Sequence, residues 1–68
     1  MGVYPLVMSV KEWRVRRDQA GILIGYVLHA PKGRRREAWR IYYAWRDWKI
    51  SFREAEERLI KLTGLYRP

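Results

Sequence analysis

The chain contains no cysteine, so neither a disulfide nor a thiolate metal site can supplement its core. It has one histidine, His29, which cannot build a zinc site without several carboxylates gathered around it. Acidic residues are scarce too, with 7 Asp and Glu against 15 Lys and Arg. No apolar run approaches the roughly 18 residues of a membrane span, and the short stretch Val3 to Val10 lacks the preceding basic region and following cleavage site of a signal peptide. There is no glycine-rich phosphate loop, no metal-ligand spacing and no carboxylate pair suited to acid–base work. These absences exclude the common enzyme constellations. The expectation is a soluble, unprocessed cytoplasmic protein with no catalytic residue, cofactor or metal.

What remains is concentrated in few residue types. The 68 residues make one domain, near the size at which a single core is only marginally sufficient. Stability therefore has to come from packing 4 Trp, 5 Tyr and the aliphatics, or from self-association as a homodimer. The formal charge of +8 favours polyanionic partners, nucleic acid or an anionic membrane surface. That charge is uneven: residues 1–50 hold 11 Lys and Arg against 4 Asp and Glu, and residues 51–68 hold 4 against 3. A polyanion surface accordingly belongs to the first fifty residues.

The stretch from Arg34 to Lys49 mixes basic and aromatic side chains and admits two periods. With period two, Trp39, Ile41, Tyr43 and Trp45 form one side and Arg40, Tyr42 and Arg46 the other. With helical spacing, Ala38, Ile41, Tyr42, Trp45 and Trp48 form one stripe, which leaves Trp39 and Tyr43 outside it. The strand is preferred because Trp, Tyr and Ile suit a half-buried pleated surface, with Arg46-Asp47 as a turn and Trp48 to Ile50 returning.

Elsewhere the elements are read as follows. Residues 1–10 form an edge strand or arm, Pro5 confining it to an edge. Glu12 to Arg17 alternates, Trp13 and Val15 against Arg14 and Arg16. Asp18 to Gly21 is a turn, and Ile22 to His29 is a central strand with a bulge at Gly25. Pro31 to Arg36 is a cationic loop. Ser51 and Glu54 form a capping box opening a helix with Phe52, Ala55, Leu59 and Leu62 on its apolar stripe, stopped at Gly64. Leu65 to Pro68 is a tail. The expected fold class is α+β, a small antiparallel β-meander of three to four strands with one C-terminal helix packed on one face. The alternative is a β-hairpin followed by two helices.

Two short segments carry a resemblance. Trp13-Arg14-Val15-Arg16 resembles a first strand of type W-x-V-x, and Phe52-Arg53-Glu54-Ala55-Glu56 resembles a helix start of type F-x-x-x-x-A. Both are found in the sheet-plus-helix DNA-binding domains at the N-termini of tyrosine recombinases and in plant ethylene-response factors. The resemblance implies a three-stranded sheet entering the major groove, with Arg14, Arg16, Arg40 and Arg46 in the contacting role.

The residues alone lead to a similar expectation. If Trp13, Val15, Trp39, Ile41, Tyr43 and Trp45 pack under the helix, then Arg14, Arg16, Arg40, Tyr42 and Arg46 share an open sheet face. Lys32, Arg34, Arg35 and Arg36 extend it through the loop. Arginine bonds phosphates and guanine edges bidentately, and exposed aromatics stack on unpaired bases. A small nucleic-acid-binding protein is expected, with DNA ahead of RNA, of a kind that suits a viral or mobile-element genome. The alternative is an interaction module, an inhibitor or adaptor, docking on an acidic protein surface.

Overall fold

Ser9 opens the first helix by hydrogen bonding with Glu12 in both directions. In the computed structural model, which describes residues 9–64, the Glu12 amide donates to Ser9 Oγ at 3.1 Å and the Ser9 amide donates to Glu12 Oε1 at 3.0 Å. This reciprocal cap satisfies donors that a helix start otherwise leaves orphaned. Helix α1 follows, Val10–Leu28. Leu23 and Val27 are buried on its inner side, with Arg16, Ala20 and Tyr26 half-buried there. The spacing 16, 20, 23, 27 is that of one helical stripe.

The expected hairpin is thereby overturned. Glu12 to Arg17 and Ile22 to His29 are parts of one helix, Asp18 to Gly21 is not a turn, and Gly25 marks no bulge. The alternation of Trp13 and Val15 with Arg14 and Arg16 covers too few residues to separate period 2 from period 3.6. Trp13 and Val15, the proposed core side, are both exposed. Only the helical period places a single apolar stripe against the rest of the molecule.

Past α1, the His29 amide donates to the Tyr26 carbonyl at 3.0 Å, Ala30 is buried, and Pro31 leads into a 3₁₀ turn, Lys32–Arg34. Helix α2, Arg35–Arg46, continues from it. The cationic loop expected at Pro31 to Arg36 is thus a short turn merging into a helix. The third strand, Ala38 to Trp45, is likewise helix: Ala38 and Trp45 are buried, Ile41 and Tyr42 are half-buried between them, and Tyr43 is exposed.

No fourth strand forms, because α2 ends in a tight reversal. The Lys49 amide donates to the Ala44 carbonyl at 2.9 Å and the Trp48 amide to the Trp45 carbonyl at 3.0 Å, the paired bonds of a Schellman motif. Trp48 sits at the left-handed position of that motif, with φ 65°, where glycine is usual. A side chain there costs roughly 1–2 kcal/mol.

Helix α3, Phe52–Thr63, matches the sequence reading. The Glu54 amide donates to Ser51 Oγ at 3.0 Å, while the Glu54 carboxylate accepts from Arg58 at 2.6 Å rather than reaching back to the cap. Gly64, φ 74°, ends the helix with its amide on the Ile60 carbonyl at 2.8 Å.

Each helix packs on the other two. The core is Leu23 and Val27 from α1, Ala30 from the connection, Ala38 and Trp45 from α2, and Ala55 and Leu59 from α3. The two alanines on helices, Ala38 of α2 and Ala55 of α3, are small enough to let those helices pack closely beside the one large ring, Trp45. The α+β meander, and the hairpin-plus-two-helices alternative with it, give way to an all-helical bundle of three helices among the described residues. The three-stranded sheet implied by the recombinase and ethylene-response resemblance is not present among those residues. The arm read at residues 1–10, apart from Ser9 and Val10, and the tail read at residues 65–68 lie outside them.

Candidate nucleic-acid interface

With no sheet face to share, the nine residues expected at the interface are distributed by helix geometry. Arg16 and Arg14 separate first. Two residues apart on a helix, they point roughly 160° away from each other. Arg14 lies on the solvent side of α1 and Arg16 turns inward, so they do not act on one surface.

Arg16 is a structural residue. Its guanidinium lies between two indoles, 3.9 Å from the Trp45 ring centroid and 3.7 Å from that of Trp48. One terminal nitrogen donates to the backbone carbonyls of Trp45 at 3.3 Å and Arg46 at 3.2 Å. It thus caps the negative end of α2 from the side of α1. Desolvation between the rings pulls its pKa below the ordinary arginine value, partly offset by Coulombic interaction with Tyr42. It remains charged at any physiological pH.

Arg35 does a related job at the other joint, donating to the Leu28 carbonyl at 3.3 Å where α1 ends. Tyr42 is half-buried within an aromatic cluster, 5.7 Å from Trp39, 5.4 Å from Tyr43 and 5.8 Å from Trp45 between ring centroids. Arg46 is exposed but engaged, with Asp47 at 3.5 Å and its guanidinium 4.6 Å over the Tyr43 ring. Of the nine, then, Arg16, Arg35 and Tyr42 hold the bundle together.

The others converge in part. Arg36, Arg40 and Tyr43 occupy positions i, i+4 and i+7 of α2 and share its outward face, with Arg46 at the far end of the same side. Lys32 and Arg34 precede them in the 3₁₀ turn, fully on the surface. None of Lys32, Arg34, Arg36 and Arg40 has an ion-pair partner among the described residues. Over residues 32–40 the chain carries five cations and a single acid, Glu37.

Helix α3 is the internal contrast. Its outer face pairs Arg53 with Glu57 at 3.6 Å and Arg58 with Glu54 at 2.6 Å, both i, i+4, so its charges neutralise one another. The densest run of uncompensated charge therefore lies on α2 and the turn before it, while Lys11 and Arg14 of α1 are also exposed and without ion-pair partners among the described residues.

Sequence reasoning missed Tyr43 on this surface and the exposed Trp48 beyond its end. Tyr43, 43% exposed and stacked on Trp39 at 5.8 Å, falls on the core side under the strand period. Its signal was the helical spacing from Arg36 and Arg40. Lys49 sits in the linker next to Trp48, which is 66% exposed; the left-handed backbone that presents Trp48 has no signature in the local sequence, where glycine would be expected. Among the described residues there is no cluster of His, Cys, Asp or Glu able to hold a metal ion, and no helix long and apolar enough to cross a membrane. No protein family model, curated protein or solved structure matches the chain.

Proposed function

We propose that this chain binds nucleic acid, DNA ahead of RNA, through the outward face of α2 and the 3₁₀ turn that leads into it. One observation carries the reading: Lys32, Arg34 and Arg36 are gathered, without ion-pair partners among the described residues, at the N-terminal end of α2. A helix N-terminus carries the positive end of the macrodipole, and cations there oppose it where anions would gain about 0.3–1 kcal/mol each. Residue Arg34 stands at the N-cap with no side-chain cap hydrogen bond, in a position where Ser, Asp or Asn would stabilise. A stability-driven sequence would not choose this arrangement. A polyanion reverses its sign, because each phosphate is attracted by the guanidinium and by the helix end together. Arg40 and Tyr43 continue the surface along the helix, the former as a further phosphate or base-edge contact and the latter as a ring beside it.

The test sets affinity against stability. Arg34→Glu with Arg36→Glu should lower DNA affinity at least tenfold at low salt and reduce the slope of log affinity against log salt by about 2, near one unit per lost phosphate contact. The same double variant should melt at the wild-type temperature or above it, since glutamate suits a first helical turn. Glu57→Lys on α3 is the control and should leave binding unchanged or slightly stronger. A double variant that binds DNA as wild type does, or a wild type without salt-sensitive binding, removes the nucleic-acid reading and puts an acidic protein surface in its place.

A further inference from the structure

Trp48 is the feature that neither the core nor the cationic face accounts for. It is the most exposed of the four tryptophans, at 66%, and the only described residue other than glycine with a left-handed backbone. The Schellman bonds hold its backbone, and the Arg16 guanidinium, 3.7 Å from the ring centroid, holds one face of the indole. No other ring or guanidinium among the described residues lies against it. A large aromatic plane is thus fixed at its root and on one side, with the opposite side turned to solvent. Lys49 follows it directly, and Arg46 lies two residues before it.

We infer that the free face of Trp48 is a stacking platform for an unpaired nucleobase, so that the chain prefers single-stranded to fully paired nucleic acid. This rests on the nucleic-acid reading and narrows its substrate class. In a duplex the flat faces of the bases are covered by their neighbours and only their edges are open, so a presented indole plane finds its match on an unpaired base. A cationic ligand is disfavoured at this spot, because Arg16 already occupies the other face and would repel a second positive charge through the ring. A neutral base meets no such repulsion. Lys49 and Arg46 lie within reach of the phosphates on either side of it. Prior immobilisation of the ring by Arg16 means that little side-chain freedom is lost when the base stacks.

The experiment uses the whole chain and three probes with the same number of phosphates per strand: oligothymidine, the same strand made of abasic sites, and a duplex. Wild type should bind oligothymidine about tenfold or more tighter than the abasic strand, within the roughly 5- to 150-fold that one stacked base contributes. Trp48→Gly keeps the left-handed backbone unstrained and should lower oligothymidine affinity to the abasic level, leaving duplex affinity unchanged. Trp48→Phe keeps a smaller ring over Arg16 and should fall between, so the result does not depend on the glycine variant alone. Equal binding of oligothymidine and the abasic strand by wild type, or oligothymidine binding untouched in both variants, overturns the inference while leaving the charge-based function standing. Absence of salt-sensitive binding to all three probes overturns both.

Discussion

At the scale of single residues, Arg16 shows how one side chain can be read correctly for chemistry and wrongly for place. Its guanidinium does what arginines do at nucleic-acid surfaces, stacking on rings and donating to oxygens, but the rings are Trp45 and Trp48 and the oxygens are carbonyls of α2. Removing it uncaps that helix end and unseats Trp48. Arg16→Gln should therefore lower stability by about 2 kcal/mol, the scale of a part-buried cation–π contact together with charged hydrogen bonds, as read by chemical denaturation. Arg16→Lys should not rescue it, since an ammonium cannot lie flat between two indoles while reaching two carbonyls. If the glutamine variant is as stable as wild type, the sandwich is incidental.

At the scale of elements, α1 is the helix that its own residues support least. Gly21 and Gly25 lie within it with no left-handed backbone, and an added Cβ at either would meet no atom within 4 Å. A helix-interior glycine in open space is a loss of about 0.5–1 kcal/mol relative to alanine. Gly21→Ala and Gly25→Ala should each raise the thermal midpoint by an amount corresponding to that energy, and the two together nearly additively. A drop instead would overturn the reading of these two positions as open helix-interior sites. Sequence signals for α1 were nonetheless present. Ser9-x-x-Glu12 is the same capping signature as Ser51-x-x-Glu54, which marks the start of α3; the apolar residues on both sides of Ile22 to Leu28 obscure it by imitating a buried strand.

At the scale of the whole molecule, the helices are held by a small core, by the arginine bonds that join α1 to α2 and, between α1 and α3, by a tyrosine–glutamate link. Tyr26 donates its hydroxyl to Glu56 at 3.4 Å. Burial first, then the neighbouring Glu56 carboxylate by charge and by hydrogen bond, raises the Tyr26 pKa above its ordinary value near 10. The folded state thus holds the phenol proton more tightly than the unfolded chain does. The associated stability is fully present below about pH 10 and is lost as pH rises from there through the folded value. Tyr26→Phe should cost less than about 1 kcal/mol near neutrality, where only a long hydrogen bond is lost. It should also flatten the alkaline fall in stability. Denaturant melts of the two proteins at pH 8 and above pH 10 would check this, and parallel falls would show that the link carries no titration.

Some properties were determined by the sequence alone, because they depend on residue type or on contacts within one turn. The charge excess and its concentration in the first fifty residues are of this kind, as are α3 with its serine cap and glycine stop and the lack of thiolate chemistry. Period was legible only where the apolar residues sit on one side. In α3 they do, at 52, 55, 59 and 62; α2 has such a stripe too, at 38, 41, 42 and 45, but its Trp39, Ile41, Tyr43 and Trp45 fit period two equally well, and in α1 Trp13, Val15, Ile22 and Leu28 stay exposed around the helix. Which of those residues are covered is settled by the neighbouring helices. The tertiary structure alone decided that Arg16 points inward and Arg14 outward, that Tyr42 is packed and Tyr43 is not, and that Trp48 stands out from the surface on a left-handed backbone. The first of these follows from the approach of α1 to the end of α2, a contact between residues thirty positions apart for which a local pattern has no register.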